Sequence, residues 1–165
     1  MAKRQLLKAI NRTAILNAIK AHGQIARTDI AAYTGLSPAT VTSLTAELIH
    51  DGLVHETETG ASRGGRRPIL LALNAEGAYV VGIKLAEEDA TLALTDLNAN
   101  VIARSTVVLG DRDPLSTSRQ LAHGVNALLS DAGVARSRLL GVGVGLAGVI
   151  DSQAGICRIS PHNGW

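Results

Sequence analysis

Two groups of residues in this chain carry usable chemistry: hydroxyl side chains at the start of a helix, and arginines set among glycines. The first is Ser37-Pro38-Ala39-Thr40-Val41-Thr42-Ser43-Leu44. Ser37 can cap a helix here, and Pro38 costs nothing at the first helical position, where its missing N–H has no partner to lose. Val41, Leu44 and Leu48 then share one face, with Ile49 at its edge. The opposite face carries Ala39, Ser43, Ala46 and His50, flanked by Thr40, Thr42 and Glu47. A small, polar face lets a helix backbone approach the major groove of duplex DNA closely. Its hydroxyls can then reach phosphates or base edges, and the positively polarised start of the helix adds a place for a phosphate. Any surface helix can carry Ser and Thr, so this face alone leaves both readings open.

The second group is Arg63, Arg66 and Arg67 within Gly60-Ala61-Ser62-Arg63-Gly64-Gly65-Arg66-Arg67-Pro68. Leu53–Thr57 before it and Ile69–Leu73 after it read as strands. Strand, basic loop and strand form a wing, whose arginines suit a narrow A·T-rich minor groove, where the negative potential is greatest. A flexible linker with solubilising arginines is the competing reading; the position directly after the helical segment favours the wing.

Other elements must hold these groups in place. Thr28 to Thr34 reads as a short helix with Thr28 as its cap and Asp29 in its first turn, ending at a tight turn on Gly35. With the Ser37 helix it makes a helix-turn-helix. Upstream, Ala14, Ile15, Ala18 and Ile19, with Leu16 beside them, recur at helical spacing from about 11 to 21, and His22-Gly23 closes that helix. Residues 1–74 are expected to form a winged helix-turn-helix domain.

From 75 to 165 the pattern changes. Tyr79–Leu85, Ala90–Asp96 and Val101–Leu109 read as a three-stranded antiparallel meander. Asp113-Pro114 opens a helix to about Ala132, with Leu121, Val125, Leu128 and Leu129 inward and Gly133 as terminator. Leu139–Asp151 is an apolar strand running into a glycine turn. Gly143, Gly145 and Gly148 spell a dinucleotide fingerprint, but they lie largely within the strand and no helix opens after them, so that reading is rejected. Glycine in a strand instead permits close backbone approach.

Composition narrows the alternatives. Of 165 residues 46% are hydrophobic and 18% charged, enough for a packed core and against disorder. Aromatics at 2% count against base stacking on single strands or RNA. Cys157, the one cysteine, excludes an internal disulfide and a cysteine-cluster zinc site. No cofactor or metal is expected; His22, His50, His55 and His123 have no metal-ligand spacing. No apolar run approaches the roughly 20 residues of a membrane span, and the start does not read as a signal peptide, so a cytoplasmic protein with no membrane partner is expected. Residues 1–74 hold nine Lys/Arg against five acids, and residues 75–165 seven against nine. A basic front on an acidic back places a nucleic acid at the front.

An ordered set of motifs resembles the ROK family (repressors, open reading frames and sugar kinases), in its xylose- and N-acetylglucosamine-repressor type. They are Asn11-Arg12, Thr34-Gly35-Leu36-Ser37, Gly52-Leu53-Val54, Gly64-Gly65-Arg66-Arg67-Pro68, Val81-Gly82-Ile83, Gly143 through Asp151, and Asn163-Gly164-Trp165. The resemblance implies that 75–165 begins an actin-like, ribonuclease-H-like sugar-kinase fold, giving a mixed α and β chain. In the family's kinases the first strand runs into an Asp-x-Gly-Gly-Thr turn that cradles ATP phosphate; here Lys84-Leu85-Ala86-Glu87-Glu88 stands there. Two carboxylates repel phosphate and Ala86 blocks the approach glycine permits, so no phosphoryl transfer and no catalytic residue are expected.

The same resemblance places Gly148, Asn163 and Gly164 beside a sugar site, or simply at turns. The family's catalytic and sugar-binding segment, and its zinc site of one His and three Cys, lie beyond Trp165, so the sensing domain is expected to be partial, with exposed apolar surface and lower stability than the front. The expected function is sequence-specific duplex DNA binding through Ser37, Ala39, Thr40, Thr42, Ser43, Arg63, Arg66 and Arg67, in a repressor of sugar-metabolism genes. A sugar effector is expected if the missing segment is supplied, and the resemblance implies homo-oligomers among full-length relatives. The competing functions are a ROK-type sugar kinase or its inactive remnant, and an interaction module that pairs with full-length relatives.

Overall fold

The computed structural model describes residues 2–59, 68–111, 113–151 and 153–165. Arg63, Arg66 and Arg67 lie outside the described residues. The chain divides into two compact units, Met1–Ala78 and Tyr79–Trp165.

In the first unit, helix α1 (Ala2–His22) leads through strand β1 (Gln24–Ala26) into α2 (Arg27–Thr34) and α3 (Pro38–His50). Strands β2 (Val54–Thr59) and β3 (Ile69–Leu73) follow, and the three strands pair antiparallel in the order β1-β3-β2. The core is aliphatic: Ile15 and Ile19 of α1, Ile25 of β1, Ile30 of α2, Val41, Leu44 and Leu48 of α3, Val54 of β2 and Leu71 of β3. The expected turns are in place. Gly35 has φ +70 and donates its N–H to the Ala31 carbonyl, and Gly52 has φ +74 just past α3. These are left-handed conformations that glycine adopts without a Cβ penalty.

Three expectations need correction here. Thr28 does not cap α2: the helix starts at Arg27, its N-cap is Ala26, and no side chain bonds the free N–H groups there. The reason is β1, which pairs Ala26 with Leu70 and Ile25 with Leu71 and so delivers the chain into the helix two residues earlier. The three residues of β1 are too short to show an alternation in sequence. Helix α1 starts at Ala2 rather than near Asn11, and β2 starts at Val54 rather than Leu53.

The second unit holds strands β4 (Tyr79–Leu85), β5 (Asp89–Thr95) and β6 (Val101–Val108), helix α4 (Pro114–Asp131), and strands β7 (Leu139–Gly145), β8 (Val149–Asp151) and β9 (Ile156–Ile159). The meander is present, and β7 joins it parallel to β4, giving the order β6-β5-β4-β7. Asp113 caps α4 by accepting the Ser116 N–H at 2.6 Å. Leu121, Val125, Leu128 and Leu129 pack on Val81, Ile83, Leu92 and Leu94 of the sheet. After β7 the chain enters the hairpin β8–β9 rather than a helix, which agrees with rejecting the dinucleotide fingerprint. Strand β9 itself has no forecast in the sequence.

Candidate nucleic-acid interface

Helix α3 is built as its residues dictate. The Ser37 side chain accepts the Thr40 N–H at 3.2 Å, Pro38 is the first helical residue, and the Ser37 and Thr40 hydroxyls lie 2.8 Å apart. Val41, Leu44 and Leu48 point into the core, while Ala39, Thr42, Ser43, Ala46 and His50 are exposed and Thr40 and Glu47 half-buried. The candidate residues Ser37, Ala39, Thr40, Thr42 and Ser43 thus stand together on one helix and its cap. Their hydroxyls differ in freedom. Thr42 donates to the Pro38 carbonyl at 2.9 Å, whereas Ser43 has no hydrogen-bond partner among the described residues.

Sequence reasoning missed two residues that hold this face. Thr45 is fully buried in the otherwise apolar inner face; its hydroxyl donates to the Val41 carbonyl at 2.8 Å and accepts Arg27 Nε at 3.2 Å. Arg27 also reaches Glu56 of β2 at 2.7 Å, so a single guanidinium ties the start of α2 to both α3 and the first strand of the hairpin. A threonine in a helix gives no sign of burial, because its hydroxyl can be satisfied by the preceding turn. On the other flank, Glu47 meets Lys8 at 2.7 Å and Arg12 at 3.3 Å, and Arg12 continues to Asp51 at 2.6 Å. The hydrogen bond from Lys8, with help from Arg12, holds the Glu47 carboxyl below the usual carboxylate range.

The strands on either side of the arginine segment are among the described residues. β2 and β3 form an antiparallel hairpin in which Val54 faces Leu73 and Thr59 faces Ile69, with an irregularity between Glu56 and Thr59.

In the second unit the structure brings Gly148, Asn163 and Gly164 into one small knot. A Cβ on Gly148 would stand 2.5 Å from the Ile159 carbonyl oxygen and 3.3 Å from Ser160 Cα, so glycine here permits two backbones to touch. Asn163 is buried and donates to the Ser160 hydroxyl at 2.7 Å, which in turn donates to the Ala147 carbonyl at 2.7 Å. Gly164 has φ +69. Ser160, also fully buried, is the centre of the knot and was not singled out in sequence. Lys84 through Asp89 turns tightly between β4 and β5, with the Ala86 N–H on the Asp89 carbonyl at 2.9 Å and Glu87 and Glu88 exposed. No group of three His, Cys, Asp or Glu among the described residues is placed to hold a metal, and no described helix is long and apolar enough to cross a membrane.

Known proteins match this architecture. The IclR helix-turn-helix domain family matches residues 11–58, which contain α2, α3 and most of β2. The chain is 31% identical over 157 residues to the DNA-binding transcriptional dual regulator NagC of Escherichia coli K12, covering 95% of this chain and 39% of that protein. It is 32% identical to the xylose repressor of Caldicellulosiruptor bescii, covering all of this chain and 42% of that protein. The solved structure of a ROK-family transcriptional regulator, a homologue of the E. coli MLC protein, superposes with a TM-score of 0.76 at 27% identity, covering 94% of this chain and 40% of that one. The chain thus spans about two-fifths of the length of the relatives it matches. In sequence and in fold, over that span, it is similar to ROK-family transcriptional regulators.

Proposed function

We propose that the chain is the DNA-reading part of a sugar-responsive transcriptional repressor. The observation that carries this is the outward face of α3, which is small, polar and capped by Ser37, and rests on a core-facing side that is fully buried. Ala39, Thr42 and Ser43 meet the major groove, and Ser37 and Thr40 meet backbone phosphate at its edge. Arg63, Arg66 and Arg67, on the segment joining β2 to β3, enter the minor groove. Relatives named as N-acetylglucosamine and xylose repressors support the assignment to sugar metabolism. In that reading Gly148, Asn163 and Gly164 border the effector site, residues 1–74 act as the DNA-binding domain, and 75–165 contribute part of the sensing domain of a cytoplasmic homo-oligomer.

The chain does not act as a kinase in this account. The matched relatives are named as regulators, and the turn at 84–89 presents two exposed carboxylates where a phosphate cradle would be needed. A coupled phosphorylation assay over several hexoses is expected to show no turnover.

The test of the DNA reading is a titration of duplex DNA of random sequence across salt. Wild type is expected to bind with affinity that falls steeply as salt rises. Arg66→Ala/Arg67→Ala is expected to bind more weakly, by a few kcal/mol at most, with a shallower slope. An unchanged slope would sink the wing assignment, and absence of binding by wild type would sink the reading itself.

A further inference from the structure

Helix α3 does not stand alone on its side of the first unit, where α1 presents Arg4, Lys8 and Asn11 together with the exposed Leu6, Leu7 and Ile10. The first turns of α1 run beyond the packed interior: residues 4–10 are exposed, and the first α1 residue in the core is Ile15. Arg4, Lys8 and Asn11 succeed one another at spacings of four and three, which sets them on one face of the helix. They line an open cleft of about 510 Å³ whose other wall includes Thr40, Ser43 and Glu47 of α3. The cleft therefore shares Thr40 and Ser43 with the face assigned to the groove.

Its electrostatics are resolved residue by residue. Glu47 is the one acid on the lining, and Lys8 at 2.7 Å and Arg12 at 3.3 Å both compensate it. Arg4 pairs with no acid among the described residues. What remains is an uncompensated guanidinium beside hydroxyls, in a space open to solvent. Guanidinium matches phosphate oxygens in geometry and charge, and backbone phosphates run alongside any helix that lies in the major groove.

We propose that the N-terminal half of α1 is part of the DNA contact surface, with Arg4 holding a backbone phosphate at the rim of the groove that α3 enters. Lys8 serves the same strand indirectly: by neutralising Glu47 it removes the charge that would repel the phosphate. The inference rests on α3 being the groove helix, and it adds a sequence-independent anchor to it.

The test uses the full chain and a random-sequence duplex of about 30 base pairs, titrated between roughly 50 and 200 mM salt. Arg4→Gln is expected to weaken binding several-fold and to make the slope of log K against log salt shallower by about 0.9, the value of one lost phosphate contact. Arg4 is exposed, so the far-ultraviolet circular dichroism is expected to stay that of wild type. Arg119→Gln, an exposed charge on α4, is expected to leave the slope unchanged. An Arg4→Gln slope equal to that of a wild type that does bind would overturn this proposal and leave the α3 reading standing. An equal loss for Arg119→Gln would also overturn it, by showing a general charge effect. Failure of wild type to bind any duplex would instead overturn the underlying reading.

Discussion

Helix α3 and strand β7 are both apolar along one line of side chains, yet α3 hides that line and β7 does not. Val41, Leu44 and Leu48 are enclosed by α1, α2 and β2. Leu140, Val142 and Val144 of β7 are 60%, 45% and 48% exposed. The difference follows from topology. β7 is paired along one edge only, to β4, while α4 packs over β5 and β6. An edge strand with apolar side chains is a surface that other chains can pair with or cover. The element assigned to DNA therefore stands on a closed core, whereas β7 leaves its apolar line open.

Substitutions can break or sharpen that contrast. The largest effect is expected at Leu48→Ala, which empties a fully buried site and should cost about 2–5 kcal/mol, read as faster amide exchange throughout α1–α3. Gly124→Ala comes next. A Cβ there would stand 2.5 Å from Val107 Cγ2, so overpacking of about 1–3 kcal/mol should outweigh the roughly 1 kcal/mol gained from helix propensity. Thermal denaturation of the second unit should report a net loss. Val142→Thr, on the open strand, should stay within about 0.5 kcal/mol by the same measurement. A loss there matching Leu48→Ala would erase the contrast.

The smallest effects concern two ion-paired carboxylates, one in each unit. Glu47 is held low by Lys8, then Arg12; Asp151 is held low by the Ala154 N–H, then by Arg158 at 2.9 Å. A carboxyl whose folded value lies below its ordinary one stabilises the fold above the ordinary value and loses that contribution as pH falls through the folded value. The ordinary values are 4.5 for Glu47 and 3.8 for Asp151. Acid titration of Glu47→Gln should thus flatten the response of the first unit below about 4.5 and leave the second unchanged, and Asp151→Asn the reverse below about 3.8. A response of both units to either variant would show that they unfold together.

What the sequence made legible was what is decided locally. Ser37-Pro38 caps α3 through its own Oγ and ring, Gly35 and Gly52 turn because of their own φ, and Tyr79–Leu85 alternates because one face is buried. What stayed hidden depends on partners distant in the chain. The start of α2 is set by β1 pairing with β3, and β9 exists only as the mate of β8. The burial of Thr45 answers to Arg27, 18 residues away. The candidate site followed the same division. The outward face of α3 could be written down from helical geometry, whereas Arg27, Ser160 and the α1 wall of the cleft needed coordinates.

The central claim is that the outward face of α3 reads base pairs. Selection of bound duplexes from a random pool, run in parallel with wild type and Ser43→Gln, tests it most directly. Ser43 is exposed and its hydroxyl is without a partner among the described residues, so the substitution alters the reading surface and not the core. Wild type is predicted to enrich one recurring motif, and Ser43→Gln to change the preferred base at one or two positions of it. A wild-type pool that stays random, or a motif that Ser43→Gln leaves unchanged at every position, would contradict the account.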